Sequence, residues 1–170
     1  MAGRARKSVG AWPGRKIRPG ETADLSLTAS KSYSGAAIRL PVTVWRGKKP
    51  GPAVFIAAAV HGDEINGTGT IRHLIQERPF ELVAGSLVLV PVVNILGFEH
   101  LSRYSPDRRD LNRAFPGASK GSVTGRLADV FFRNIVRRCD CGLELLTAAI
   151  RRTNYPISRA VMSEEASARL

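Results

Sequence analysis

The sequence predicts an α/β domain in which a mostly parallel, mixed sheet is flanked by helices. Three observations lead there. Residues 54–60 and 86–93 are short apolar runs without polar alternation, the pattern of strands buried on both faces. Between them residues 66–77 can run as a helix, and a strand, helix and strand of this length form a βαβ unit with parallel strands. Upstream, residues 23–27 and 38–44 alternate apolar with polar, as antiparallel strands do.

Each element follows in chain order. Residues 1–20 hold Gly3, Gly10, Pro13, Gly14, Pro19 and Gly20 and read as an extended or disordered lead-in, so residues 1–21 are expected as a basic, flexible arm before a domain over 22–170. Ser34-Gly35 marks the connection between the two alternating strands, and residues 46–52, rich in Gly, Pro and Lys, read as a turn. The central strand is expected over 53–60, with a helix near 64–78 ended by Pro79. After the strand over 86–93 comes a long irregular stretch, 97–121, and loops of that length in a compact domain are usually functional or disordered. Ser122 suits a helix N-cap, and Val123, Leu127, Val130, Phe131 and Ile135 give one apolar face to a helix over 122–138. A third short strand is expected over 142–148, with 38–45 completing the sheet.

Composition narrows the function classes. Hydrophobic residues make up 44% and charged residues 24%, a globular balance rather than a disordered one. No apolar run is long enough to span a membrane, and no apolar stretch follows the basic N-terminus as in a secretory signal. Cys139 and Cys141 give no disulfide framework, so the expected setting is the reducing cytoplasm. The net charge is +12, and Arg4, Arg6, Lys7, Arg15, Lys16 and Arg18 all precede the first acidic residue, Glu21. A basic arm can touch nucleic acid, but aromatic interleaving is confined to Trp12 and no nucleic-acid motif is present, so a solvated terminus is the preferred reading.

Two patches carry chemistry. In His61-Gly62-Asp63-Glu64 the histidine follows an apolar strand, at the carboxyl end where open α/β sheets place their ligands. An imidazole and a carboxylate three residues apart can share one metal ion, because zinc accepts nitrogen and oxygen ligands at about 2 Å. Taken alone, HxxE reads first as a helix-start carboxylate beside a partly buried histidine. The second patch is Asp107-Arg108-Arg109-Asp110-Leu111-Asn112-Arg113-Ala114-Phe115-Pro116-Gly117. Arg offers a bidentate fork and Asn an amide donor, together a grip for a carboxylate. Alone, it reads first as a charged surface loop.

Together with Leu40-Pro41-Val42-Thr43-Val44, Arg46-Gly47, Pro50-Gly51-Pro52 and Arg152-Thr153-Asn154 followed by Pro156, the two patches resemble the succinylglutamate desuccinylase/aspartoacylase family. The resemblance implies a zinc-carboxypeptidase-like fold, of which residues 22–170 are the N-terminal part. It implies a zinc-dependent hydrolase acting on an N-acyl amino acid, with one zinc ion, an acidic small-molecule partner, and His61 and Glu64 as the first two ligands. Asn112 and Arg113 take the place of the substrate-carboxylate grip, with Arg103 or Arg109 as helper.

Two departures qualify that implication. Where the family has the histidine of an Asp-Leu-His-Thr strand as third ligand, this chain has Leu146 within Glu144-Leu145-Leu146-Thr147, and neither His73 nor His100 stands at that position. The family's general base is expected in a part of the family chain that lies beyond Leu170, so no residue here takes a catalytic role by match. The expectations are therefore weak zinc binding and weak or absent hydrolysis. A truncated, inactive remnant that still binds an acidic small molecule through Asn112 and Arg113 is the companion reading, and a basic nucleic-acid-binding module the third. A sheet of the family cut midway is also expected to expose a strand edge and to self-associate.

Overall fold

Alternation and unbroken apolar runs divide the labour of the sheet as their periods require. The computed structural model describes residues 10–32, 34–149 and 152–159. Strands β1 (Ala11–Trp12) and β2 (Arg15–Lys16) form a small hairpin. The main sheet consists of β3 (Thr22–Lys31), β4 (Ala37–Arg46), β5 (Lys49–Ala58), β6 (Ala84–Val90) and β7 (Cys141–Leu145), in the order β3-β4-β6-β5-β7. β3, β4 and β6 are joined antiparallel, whereas β6, β5 and β7 run parallel. The helices are α1 (Asn66–Glu77), α2 (Ile95–Glu99) and α3 (Val123–Asn134).

β5 and β6 are unbroken apolar runs because helices cover both of their faces. Ala57, Val88 and Val90 belong to the core that includes Leu127, Phe131 and Ile135 from the α3 region. Ala58, Leu87 and Leu89 pack with Ile71 of α1 on the other side. The period of two is thus read out on two faces at once. α1 approaches the sheet closely at Gly67, where a Cβ would lie 2.9 Å from Ala58 Cβ and 2.8 Å from that of Leu145. A larger residue there would lift the helix away from the strand that delivers His61. The helix ends at Arg78, in the left-handed region at φ 45°, just before Pro79.

Several boundaries differ from the sequence reading. β5 begins at Lys49, inside the expected turn, because Lys49 already pairs with Ala84 before a bulge resets the register at Ala53. It stops at Ala58, since Ala59 takes φ 53° and leaves extended geometry. β6 spans 84–90 rather than 86–93, and Pro91 has no N–H to continue the ladder. The expected strand over 142–148 is realised as 141–145, so Leu146 lies beyond its end. The helix expected over 122–138 is α3 followed by a separate 3₁₀ turn, Val136–Arg138. Residues 10–20, read as an extended lead-in, instead fold back through β1 and β2. The cause is Trp12 and Ile17, which are buried in the core. Residues 1–9 of the arm lie outside the described residues, as do residues 160–170 at the other end. Among the described residues, no helix is long and apolar enough to cross a membrane.

Candidate active site

The end of β5 sets the site. Backbone amides of Val93 and Asn94 donate to the carbonyls of Ala58 and Ala59, at 3.0 and 2.8 Å, and tie the segment after β6 to the end of β5. His61 follows two residues later, only 5% exposed. Its Nδ1 lies 3.0 Å from Glu64 Oε1 and its Nε2 lies 3.1 Å from Asp110 Oδ1. Both ring nitrogens thus face carboxylates, and a neutral ring can donate to only one of them. Glu64, equally buried, uses its other oxygen, Oε2, to accept the Thr147 amide at 3.0 Å. Arg103 completes the network, with Nη2 3.2 Å from Asp110 Oδ2 and Nη1 4.0 Å from Glu64 Oε1.

The long loop that supplies Arg103 and Asp110 is ordered by Asn94, a residue with no exposed surface. Its Oδ1 accepts the Gly97 amide at 3.0 Å and the Ser105 hydroxyl at 3.1 Å, and its Nδ2 donates to the Arg103 carbonyl at 3.4 Å. A buried amide that accepts twice and donates once in this way fixes the path of the chain. Further on, Asp107 caps the start of α3 through the amide and hydroxyl of Thr124. Burial alone would push the Asp107 carboxyl up; the Thr124 hydroxyl and amide and the Arg109 amide more than reverse this and hold it below the ordinary range. Asp110 behaves likewise: burial raises it, and the Asn112 amide, His61 and Arg103 together bring it lower than usual.

Of the residues singled out from sequence, His61, Glu64 and Arg103 come together. Asn112 and Arg113 occupy a 3₁₀ turn, Leu111–Arg113, anchored by fully buried Leu111 directly after Asp110. Their side chains are exposed at this rim and make no hydrogen bond or ion pair with His61 or Glu64. Arg109 is not brought to the network; its charge acts on Asp107. His73 and His100 are exposed elsewhere on the surface. Leu170, beyond which the family's general base is expected, lies outside the described residues, and no described residue is given that role. Sequence reasoning quoted Asp110 without giving it a role, and it missed Asn94 and the Thr147 amide. An Asp two residues before the Asn-Arg pair was the available signal; a backbone donor leaves none.

The position that the resemblance implies for a third metal ligand has a different outcome. The Thr147 amide on Glu64 holds the backbone next to Leu146 against the site, but the Leu146 side chain is apolar and 52% exposed. Because β7 ends at Leu145, Leu146 is not a strand residue, and the period of two does not set it on the face of Glu144. Glu144 pairs in register with Ala57 and keeps exposed surface on its strand; partial desolvation is the first cause that raises its carboxyl, with His61 opposing and the Glu64 charge adding. Among the described residues, no three His, Cys, Asp or Glu side chains form a group able to hold a metal ion. His61 and Glu64 offer two donors where catalytic zinc sites have three protein ligands, so the residues present do not fit a catalytic zinc centre.

Comparison with known proteins gives one consistent family. The succinylglutamate desuccinylase/aspartoacylase catalytic domain matches residues 50–169. The chain is 37% identical over 123 residues to the N-alpha-acetyl-L-2,4-diaminobutyric acid deacetylase of Halomonas elongata, covering 71% of this chain and 36% of that protein. The crystal structure of an aspartoacylase family protein from Mesorhizobium loti superposes with a TM-score of 0.65 at 33% identity, over 76% of this chain and 41% of the other. The product-bound ectoine utilization protein EutE (DoeB) from Ruegeria pomeroyi does so at 0.64 and 32%, over 75% and 40%. The chain thus spans well under half the length of these relatives.

Proposed function

Because the chain belongs to the succinylglutamate desuccinylase/aspartoacylase family, we propose that its His61–Arg113 rim binds an N-acyl amino acid, in a deacylase site that carries zinc weakly and hydrolyses far more slowly than a three-donor site. The observation that carries this reading is the closed network of His61, Glu64, Asp110 and Arg103, with residue 146 held beside it by the Thr147 amide. Acyl-amino-acid chemistry needs a cation for the substrate carboxylate and a polarising group for the acyl carbonyl. Arg113 and Asn112 are free at the rim for the first task. Arg103, 38% exposed and already held by Asp110, lies where its guanidinium can polarise a carbonyl. His61 and Glu64 are the two donors that would hold zinc; no hydrolytic step is assigned to a metal with this donor set.

The name of the relative, an N-alpha-acetyl-L-2,4-diaminobutyric acid deacetylase, supports this choice of substrate class. Binding of N-acetyl-2,4-diaminobutyrate and N-succinylglutamate is measured by calorimetry, with the N-acyl amine that lacks the carboxylate as control. Arg113→Ala removes one charge-assisted contact and weakens binding by about 1.5–3 kcal/mol, roughly tenfold or more. Equal binding of the carboxylate-free amide, or no effect of Arg113→Ala, counts against the proposal.

A further inference from the structure

A second polar feature lies away from this network. The order β3-β4-β6-β5-β7 puts β3 at the edge of the sheet remote from His61. Between the end of β3 and the loop before α3 is a shallow, wide-open groove of about 600 Å³, lined by Thr28, Ser30, Lys31, Ser119, Lys120 and Arg126 among others. We propose that this groove is a binding site for a small molecule bearing a phosphate group.

The sequence builds it through a break in alternation. The β3–β4 register shifts between Thr28 and Ser30, and the bulge leaves Ala29 and Ser30 both buried in succession. Ser30 Oγ, turned by the bulge, accepts Arg126 Nε at 2.8 Å, while Arg126 Nη1 donates to the Gly121 carbonyl. The guanidinium is therefore fixed in place by two neutral acceptors, and its charge is not cancelled. Lys31 and Lys120 flank it, and Thr28 and Ser119 add hydroxyls, whereas the Ser30 hydroxyl gives its proton to the Lys31 carbonyl.

Among the described residues, no carboxylate lines the groove. The nearest acids along α3 and its approach are committed elsewhere, Asp107 to Thr124 and Asp129 to Arg133. Three cations with a pre-set planar fork match a tetrahedral dianion better than a carboxylate, which has one charge and two oxygens. The described lining also has no aromatic ring to stack a base, so the groove suits a phosphate on a small body rather than a single-stranded nucleic acid. Part of the +12 charge excess thereby acquires a local role.

The test uses the full chain titrated with inorganic phosphate and with glycerol 3-phosphate, against chloride and acetate at matched ionic strength. Amide shifts of residues 28–31 and 119–126 and the melting temperature are the readouts. Saturable binding of both phosphates is expected, with Lys31→Gln/Lys120→Gln weakening it at least tenfold. Both lysines are exposed, so this variant folds as the parent does; Arg126→Gln is a second variant, expected to abolish binding. An unchanged affinity in the lysine variant overturns the proposal. So does an equal response to chloride, or far tighter binding of an oligonucleotide with steep salt dependence.

Discussion

Replacing Gly62 with alanine tests how tightly the His61 turn is wedged against the following loop. A Cβ at residue 62 would sit 2.0 Å from the Gly97 carbonyl carbon, 2.2 Å from the Phe98 nitrogen and 2.4 Å from the Gly97 oxygen. All three are backbone atoms, so no side chain can rotate away. Ordinary contact begins at 3.4 Å, and the turn must move about 1.4 Å from α2 to reach it. That displacement is ample to break the 3.1 Å contact between His61 and Asp110. Overpacking of this kind costs about 3 kcal/mol, or a fall in Tm of roughly 6–12 °C for a chain of this size. Gly69→Ala in α1 is the internal control, because nothing lies within 4 Å of its Cβ. It should stabilise by about 1 kcal/mol through helix propensity alone. Denaturant unfolding of both variants reads out the opposite signs. A Gly62→Ala protein within about 0.5 kcal/mol of the parent would refute the wedge, since surface-like tolerance is the only reading of that result.

Asp107→Ala leaves the amide and hydroxyl of fully buried Thr124 without their partner and should cost about 2 kcal/mol near neutral pH. Since the folded Asp107 carboxyl lies below the ordinary 3.8, its contribution is complete above that value and disappears as pH falls through the lower folded one. The gap between parent and variant must therefore close in acid; a gap constant with pH contradicts the assignment. Among the described residues β7 is an open edge of the sheet, where Leu143 is 53% exposed, and this edge should make the chain self-associate with concentration. Leu143→Lys should shift sedimentation toward the monomer, and a parent chain that is monomeric at every concentration would sink this expectation.

The parts of the fold that sequence made legible are those where one period dominates. The apolar runs of β5 and β6 and the helix between them have a single answer, and α1 spans the expected residues 66–77. Strand ends were less legible because they depend on partners distant in sequence: Lys49 is a strand residue only because Ala84 lies beside it. The hairpin of β1 and β2 was hidden by glycines and prolines that read as punctuation, while Trp12 and Ile17 anchor it from within the core. In the site, His61 and Glu64 were visible as a short motif. Their coupling to Asp110 and Arg103 was not, because the loop that brings them together is shaped by a single buried amide, Asn94.

Zinc titration at fixed pH of the unmodified chain, Leu146→His and His61→Ala tests most directly the claim that a retained pair of donors lacks its third. The histidine variant restores a nitrogen at the backbone position that the Thr147 amide holds beside Glu64. Weak binding by the unmodified chain, at least tenfold tighter binding by Leu146→His, and loss in His61→Ala are the predicted results. Tight, stoichiometric zinc binding by the unmodified chain that is lost in His61→Ala would contradict the account.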